Sequence, residues 1–193
     1  MYSKYILPKL LKWRMNQGRF VAGRQWCIPQ ATGVVLEIGF GAGANLPYYN
    51  NISQLLALEP SKELFKIALE SSETTFDVKQ IVAGAETIPL DDDSVDSIVC
   101  TWTLCSVDDV REVVDELHRV LRPSGKVIFI EHGKSNSRVF QVLQSSTNNL
   151  WKRFAGGCNL NRTYFNHFTE AGFSFEVSEQ IGTEYRGVAT TSK

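Results

Sequence analysis

The feature that most constrains the fold is an apolar run that ends in a glycine-rich turn. Residues 34–38 read Val-Val-Leu-Glu-Ile, and glycines follow at positions 39, 41 and 43. A run rich in β-branched residues is typical of a parallel strand that is covered on both faces. Gly39 and Gly41 would let the backbone turn tightly and approach a ligand, and Gly43 would let the next helix pack close to the strand. The stretch therefore predicts a strand that opens into a nucleotide-binding loop.

Glu37 discriminates between two ligands that such a loop can bind. The three glycines, with Ala44 in the last position, also fit the dinucleotide fingerprint. A carboxylate at the end of the strand would repel a pyrophosphate, whereas it can hold the amides of the loop or face an ammonium group. S-adenosylmethionine carries an ammonium and a sulfonium but no phosphate, so it is the ligand that this strand favours.

A second apolar strand, residues 55–58, also ends in an acid, Glu59. An acidic residue at this distance from the glycine loop accepts both hydrogen bonds of a ribose diol in nucleotide-binding folds. The alternative is that Glu59 only caps a helix that begins near Ser61. Because two successive strands end in acids at the expected spacing, we favour the ribose contact.

Four motifs in this order resemble class I S-adenosylmethionine-dependent methyltransferases. They are Leu36–Gly43, then Glu59, then Ala85–Leu90 with Ser94–Asp96, then Arg119–Gly125, and the pattern covers residues 34–131. Two later segments, residues 130–132 and residues 157–160 followed by Arg162, resemble small thiol S-methyltransferase-like proteins of the type 11 group. Asn45–Tyr49 resembles bacterial phospholipid N-methyltransferases.

The resemblance implies one α/β domain over residues 1–193, with a Rossmann-like, doubly wound, seven-stranded sheet that is mostly parallel and has an antiparallel last strand. It implies S-adenosylmethionine as the cofactor and S-adenosylhomocysteine as its product. Gly84 stands where the family commonly has an aspartate, so adenine recognition would fall to groups near Ala85 and to the Glu86 carboxylate. The cofactor-binding residues that it implies are Glu37, Gly39, Gly41, Gly43, Asn45, Glu59, Pro60, Ala85, Glu86 and Thr101.

Hydrophobic periodicity predicts the remaining elements. A helix is expected from Ser61, with Leu64, Phe65, Ala68 and Leu69 in the core, and a second helix is expected after Ser106. The turn Pro123–Gly125 should end the second helix. The expected strands cover residues 78–82, 95–100, 126–130, 173–177 and 185–191.

The loop 101–106 should border the transferable methyl group, because ligands of open α/β sheets lie at the carboxyl ends of the strands. It lacks the Asn/Asp-Pro-Pro-aromatic motif of many methyltransferases that act on amino groups of nucleic acids or proteins. That absence lowers the expectation of such substrates. Cys105 could act as a nucleophile, but methyl transfer from a sulfonium requires no covalent enzyme intermediate. We therefore expect a buried structural thiol.

Three residues are candidates for catalysis. His132 follows the fifth strand and could accept a proton from a thiol or amine, or it could make only a structural hydrogen bond. Asn159 and Arg162 would reach toward the substrate from a glycine-rich turn, although Arg162 could also be a solvated residue at a helix start. His118 and His167 are expected to face solvent.

The N-terminal residues 1–33 are basic and apolar, and the first acid of the chain is Glu37. A helix from Pro8 through Met15 would carry one apolar and one basic face. It could fold over the cofactor as a lid whose basic side chains end in solvent, or it could make a peripheral contact with anionic lipid. We favour the lid, and the two roles are compatible.

Residues 133–160 are expected to form a helical insertion that closes the acceptor pocket. Trp13, Phe20, Phe140 and Trp151 would make that pocket apolar, which suits a small hydrophobic thiol or amine, or the head of a lipid. Family resemblance alone chooses among these acceptors.

Composition narrows the classes of partner, site and compartment that the chain could have. The 193 residues are 43% hydrophobic, and the formal net charge of −1 gives no reason to expect nucleic acid. Four cysteines without a Cys-x-x-Cys pair and three scattered histidines argue against a metal site or a disulfide framework and suit a reducing compartment. No signal-peptide core or membrane span is evident, so a cytoplasmic protein, with possible contact to a membrane surface, is expected. The sequence gives no signal for oligomeric state.

Two classes of protein other than a methyltransferase could use a similar glycine loop. A nicotinamide-dependent oxidoreductase is disfavoured by Glu37 and by the absence of a second domain to hold substrate. A non-catalytic protein that binds the cofactor and stabilises a partner stays open, because the cofactor residues are better supported than the catalytic ones.

Overall fold

The computed structural model describes residues 18–70, 74–191 and 193. Five helices are described: α1 (Gly18–Cys27), α2 (Lys62–Glu70), α3 (Val110–Val120), α4 (Arg138–Phe154) and α5 (Phe165–Glu170). Seven strands are described: β1 (Gly33–Ile38), β2 (Ile52–Leu58), β3 (Asp77–Ile81), β4 (Val95–Thr101), β5 (Leu121–His132), β6 (Phe173–Ile181) and β7 (Glu184–Thr191). Short 3₁₀ turns cover Ile28–Gln30 and Leu46–Tyr48.

The seven strands form one sheet in the order β3-β2-β1-β4-β5-β7-β6. The first five in this order pair in parallel, and β7 lies antiparallel to both β5 and β6. The predicted doubly wound sheet with an antiparallel last strand is confirmed. Strand order reverses beside β1, whose neighbours are β2 and β4, so a ligand site is expected above the carboxyl ends of these strands.

Each face of the sheet has its own hydrophobic core. On one face, α3 and α5 pack through Val113, Leu117 and Phe168 against Leu36 and other sheet residues. On the other face, α1 and α2 pack through Cys27, Phe65 and Ala68 against Val35 and its neighbours. Because both faces of the central strands are covered, these strands read as continuous apolar runs in the sequence.

Several boundaries differ from the sequence prediction. The segment Pro123–Gly125 does not separate α3 from β5, because β5 begins at Leu121 and pairs with Val95 across a register shift. Ser124 in this bulge has a φ of +62°. The glycine loop leads into the 3₁₀ turn Leu46–Tyr48 rather than a full helix, and Gly43 packs against Ala68 of α2.

Helix α4 confirms the expected helix in the insertion but exposes its apolar side chains. Its buried residues are polar, Gln144 and Asn148. Gln144 accepts a hydrogen bond from Ser135 N and donates to the carbonyls of Gly133 and Leu160, while Asn148 accepts from Leu160 N. The exposed apolar residues of α4 are Val139, Phe140, Val142, Leu143, Leu150, Trp151 and Phe154. Among the described residues, hydrogen bonds therefore hold this helix.

The pocket predicted from four aromatic residues is not formed by those that the structure describes. Phe20 is buried against Trp102, with ring centroids 4.9 Å apart. Phe140 and Trp151 are 57% and 47% exposed, and Phe140 borders a shallow depression beside Ile181. The hydrogen bonds of Gln144 and Asn148 fix α4 in this orientation. Trp13 and the predicted helix from Pro8 lie outside the described residues.

The prediction that two histidines face solvent is wrong. His118 is half-buried, with its ring edge-on to Phe173 and its Nε2 hydrogen-bonded to Thr191 Oγ1. His167 is half-buried as well, and its Nδ1 is buried without a hydrogen-bond partner among the described residues.

None of the helices formed by the described residues combines the length and hydropathy that a membrane crossing requires.

Gly43 and Gly41 provide a matched test of packing in the glycine loop. Both have a positive φ, +73° and +57°, so alanine at either position carries a similar backbone strain of about 1 kcal/mol. A Cβ on Gly43 would lie 2.7 Å from Ala68 Cβ, whereas a Cβ on Gly41 would have only Gly39 O, at 3.8 Å. Gly43→Ala should therefore reduce the free energy of unfolding by about 1–3 kcal/mol more than Gly41→Ala, measured by urea denaturation. Equal losses would contradict the packing that we describe.

Candidate active site

Glu37 lies at the centre of a buried hydrogen-bond network at the end of β1. Its Oε1 accepts from Asn45 Nδ2 at 2.8 Å and its Oε2 accepts from the Tyr49 hydroxyl at 2.7 Å. Asn45 also donates to Thr101 Oγ1 and accepts from Arg24 Nε. Three predicted site residues, Glu37, Asn45 and Thr101, are thus brought together from three separate segments.

Burial raises the pKa of Glu37 to about 7, although the hydrogen bonds from Tyr49 and Asn45 and the charge of Arg24 oppose this shift. The charge of Glu59 raises the pKa further. Two carboxylates at the ends of adjacent strands therefore repel each other. A cationic ligand would relieve that repulsion, and an anionic ligand would increase it.

Glu59 holds the glycine loop. Its Oε2 accepts from Gly41 N at 2.9 Å, and its Oε1 accepts from Ser61 N at 2.8 Å. The alternative role as the helix cap belongs instead to Ser61, whose Oγ accepts from Leu64 N. Each carboxylate oxygen has two lone pairs, so both oxygens of Glu59 retain acceptor capacity for a diol.

Helix α3 holds residues 88–90, in the segment expected to contact the adenine, through side-chain hydrogen bonds. Arg119 donates to the carbonyls of Ile88 and Leu90, and Glu116 accepts from Ile88 N. Ala85 is buried at the edge of the core, and Glu86 Oε1 accepts from Asp108 N at 2.8 Å. One oxygen of the Glu86 carboxylate is thus already bound to the backbone.

An aromatic residue with a strained backbone follows β4. Trp102 has a φ of +52°, which a non-glycine residue seldom adopts. Its ring contacts Phe20, and the Arg24 guanidinium lies 5.1 Å from the ring centroid. Arg24 is 2% exposed, so this basic side chain of the N-terminal segment is buried in the site. Buried strain of this kind is common at functional sites.

Glu131 fixes the loop that borders the expected methyl position. This fully buried carboxylate accepts from Thr103 N and Leu104 N, at 2.7 and 2.8 Å, and more weakly from Cys105 N at 3.4 Å. Burial raises the pKa of Glu131 to about 7, against these hydrogen bonds. Its position near the end of β5, against the loop, sets where Cys105 lies.

His132 contacts a cysteine rather than open solvent. Cys158 Sγ lies 2.9 Å from His132 Nε2 and accepts from Trp151 Nε1 at 3.2 Å. The hydrogen bond from Cys105, together with those from His132 and Trp151, lowers the pKa of Cys158 against the effect of burial. Burial would lower the pKa of His132, but its bond to Cys158 raises it. Cys105 is buried, as expected, and it belongs to this same group.

Asn159 and Arg162 bind the backbone around this group. Asn159 Nδ2 donates to Cys105 O at 3.0 Å, and its backbone N donates to the same carbonyl at 2.7 Å. Arg162 donates to Leu104 O at 2.6 Å and to Asp108 O at 3.3 Å. Both residues therefore position the loop after β4, and their direct contact with a substrate stays a prediction.

Sequence reasoning missed several members of the site. Cys158 stands in a segment that supports the family resemblance, but nothing in its spacing links it to His132. Arg24 looked like one basic residue among many in the N-terminal segment. A repeat of Phe20, Gly23, Arg24 and Cys27 at helical spacing could have marked it, because all four are buried in α1. Tyr49 and Trp102 carried no comparable signal.

The residues of the glycine loop fit S-adenosylmethionine. A Cβ on Gly41 would have only Gly39 O within 4 Å, so a ligand can approach the backbone there, and Glu37 and Glu59 supply negative charge on either side of the loop. A cation with a ribose diol matches this set of donors and acceptors better than a pyrophosphate does.

Comparisons with known proteins agree with this fit. Residues 36–129 match the family model described as a methyltransferase domain. Thiol S-methyltransferase TMT1A of Homo sapiens is 32% identical over 145 residues, which cover 72% of this chain. The phosphatidylethanolamine N-methyltransferase of Cereibacter sphaeroides is 30% identical over 103 residues, which cover 52% of this chain and 51% of that protein.

The comparison with solved structures gives the same fold. A structure of the complex between the Haloferax volcanii Trm112 methyltransferase activator and a methyltransferase contains a chain that aligns with a TM-score of 0.76. It is 16% identical and covers 100% of this chain and 96% of that one. Residues 36–129 therefore form a methyltransferase domain of the S-adenosylmethionine-dependent kind, as the family model and the sequence relatives show. The chain is similar to the thiol S-methyltransferase TMT1A, of whose length it spans 59%.

The raised pKa of Glu37 gives a prediction for stability. Between its ordinary value of 4.5 and about 7, the folded chain holds a proton that the unfolded chain has released. The contribution of Glu37 to the free energy of unfolding therefore falls as pH rises through this window, by about 1.4 kcal/mol per pH unit at most. Glu37→Gln keeps a neutral hydrogen-bonding group, so the variant should become more stable relative to wild type across the window in urea denaturation.

Glu176→Gln serves as the control for this measurement, because Glu176 is exposed on β6. Its stability should run parallel to that of wild type. A Glu37→Gln curve parallel to wild type would show that the Glu37 carboxyl does not titrate in this window.

Proposed function

We propose that this protein transfers the methyl group of S-adenosylmethionine to a small apolar thiol. The observation that carries the proposal is the position of the His132–Cys158 pair and the aromatic rim, Phe20 and Trp102, around the loop where the methyl group is expected. The similarity to the thiol S-methyltransferase of Homo sapiens supports a thiol over an amine. The acceptor itself is inferred from these two lines of support.

Glu37 and Glu59 hold the cofactor in this proposal. Glu37 faces its ammonium group, Glu59 accepts from its ribose diol, and Gly41, which has no Cβ, lets the cofactor approach the backbone of the loop. Pro60, Ala85 and Glu86 border the adenine. The sulfonium supplies the activated methyl group when the cofactor is bound.

The chain contributes alignment and exclusion of water. Trp102, held between Phe20 and Arg24, would close one side of the acceptor position, and Glu131 fixes the loop that closes another. Alignment of two reactants can supply up to about 7–11 kcal/mol of barrier reduction in favourable models. We assign to His132 the task of helping the acceptor to lose its proton, with Asn159 and Arg162 as positioning residues.

The exposed apolar side of α4 favours a second candidate function, methylation of a phospholipid amine. No acid occurs between Glu131 and Glu170, and Arg138, Lys152 and Arg153 are exposed at the ends of α4. An apolar face with basic residues around it suits an anionic membrane surface. The similarity to phosphatidylethanolamine N-methyltransferase supports the same reading. A cytoplasmic protein that contacts membranes peripherally agrees with either acceptor.

Cofactor identity is tested by calorimetric titration with S-adenosylmethionine and with NADH. Wild type should bind the first and not the second. Glu59→Ala should weaken the binding of S-adenosylmethionine by at least about tenfold, because charge-assisted hydrogen bonds to the diol are lost.

Ser61→Ala is the matched control, since it removes the cap of α2 beside Glu59 without removing the carboxylate. It should bind S-adenosylmethionine like wild type. Binding of NADH, or of neither ligand, would overturn the cofactor assignment. Binding without turnover of any acceptor would favour the non-catalytic class.

Acceptor class is tested with S-adenosylmethionine and a panel that contains an apolar thiol, the amine and alcohol of the same carbon skeleton, and vesicles of phosphatidylethanolamine. We expect methylation of the thiol. His132→Ala should reduce kcat for that thiol by about 10²–10⁴-fold and leave the Kd of S-adenosylmethionine unchanged. Methylation confined to the vesicles would replace the thiol proposal by the lipid one.

A further inference from the structure

Three potential metal ligands converge from separate segments at the rim of the site. Cys105 lies in the loop after β4, His132 ends β5, and Cys158 lies in the turn after α4. The two sulfur atoms and a ring nitrogen all lie within 4.8 Å of one another. Linear spacing argued against a metal site, but the parallel sheet brings the carboxyl ends of β4 and β5 side by side, and the turn after α4 reaches both.

We propose that Cys105, His132 and Cys158 bind one Zn²⁺ ion and leave its fourth position open to the acceptor thiol. Thiolate sulfur and imidazole nitrogen are the donors that Zn²⁺ prefers in proteins. Zinc sites with four protein ligands are structural, whereas three protein ligands leave a position for water or substrate. A set of two cysteines and one histidine is of the second kind.

The distances are compatible with a tetrahedral ion after a small adjustment. Zinc bonds of ordinary length would separate a sulfur from a nitrogen by about 3.6 Å and two sulfurs by about 3.8 Å. In the structure His132 Nε2 and Cys158 Sγ are 2.9 Å apart, as in a hydrogen bond. Entry of the ion therefore requires these two atoms to separate by about 0.7 Å, which rotation of the side chains can supply.

The surrounding hydrogen bonds hold the ligands in place. Trp151 Nε1 donates to Cys158 Sγ, and Asn159 ties its own segment to the carbonyl of Cys105. Glu131 binds the amides of the loop that carries Cys105. Contacts of this kind, one step beyond the ligands, orient metal-binding side chains in known sites. Here they join all three ligand segments.

The open position gives the metal a role in the reaction, and this part of the inference rests on the proposed thiol methylation. An acceptor R–SH would displace water from the ion and bind as R–S⁻, with its proton released to solvent. The sulfur would then form a bond to the methyl carbon while the bond between that carbon and the sulfonium breaks, and the electron pair stays on S-adenosylhomocysteine. The neutral thioether would leave and water would return. His132 would thus assist proton loss as a ligand of the metal.

The metal site is tested without reference to activity. Full-length protein, stripped of metal by a chelator under reducing conditions, would be given Zn²⁺ or Co²⁺ alone, followed by measurement of retained metal and of the thiolate-to-Co²⁺ charge-transfer band. We expect one ion per chain in wild type. Cys105→Ala and Cys158→Ala should each lose about half of the band, since one of two thiolates is removed, and bind the ion more weakly.

Cys27→Ala and Cys100→Ala are matched controls, because both thiols are buried and lie outside the ligand group. They should retain the ion and the full band. Retention of metal by Cys158→Ala at the wild-type level, or absence of the band in wild type, would overturn the site. Formation of a Cys105–Cys158 disulfide in place of metal uptake would overturn it as well.

A further measurement separates the metal site from the proposed function. Addition of an apolar thiol to the Co²⁺ protein should change the band, whereas the alcohol of the same skeleton should not. Undiminished thiol methylation by metal-free protein would overturn the role of the metal and leave the proposed function intact. Tight metal binding in a protein that methylates no thiol would overturn the acceptor assignment while the site itself stands.

Discussion

The site depends on the burial of two carboxylates at the carboxyl ends of parallel strands. Glu37 is the second-last residue of β1 and Glu131 is the second-last residue of β5, and both are at most 1% exposed. A carboxylate can be buried only where hydrogen-bond donors compensate for the lost water. For Glu37 the donors are Asn45 and Tyr49, and for Glu131 they are backbone amides. The two acids thereby fix the loops between which a ligand would lie.

These constraints propagate to the acceptor side of the site. The amides that Glu131 binds belong to residues 103–105, so its carboxylate determines where the Cys105 thiol lies. Asn159 then joins the turn after α4 to the same loop through Cys105 O, and Tyr164 joins the following segment to His132 O. The group formed by Cys105, His132 and Cys158 is therefore the place where three separately anchored segments meet.

The sequence predicted the strands and the glycine-rich turn after β1 because local pattern determines both. An apolar run identifies β1 or β2 without knowledge of the fold, and Gly41 and Glu59 follow at spacings set by the chain itself. The group Cys105, His132 and Cys158 depends instead on contacts between segments up to 53 residues apart, which spacing does not encode. The burial of Arg24 was missed and His118 was misplaced for a related reason, since a polar side chain is buried only when tertiary structure supplies its partners.

Helix α4 reverses the usual relation between polarity and burial, and this reversal links the surface to the site. Its periodicity correctly predicted a helix, but hydrogen bonds of Gln144 and Asn148 orient it with the apolar side chains outward. Trp151 belongs to both environments, because it is 47% exposed and its indole N–H binds Cys158 Sγ. A ligand held on the apolar face of α4 would therefore contact Trp151, which binds Cys158 directly. The apolar acceptor that we propose would lose little hydration on moving from that face to Cys158, whereas a charged one would lose much more.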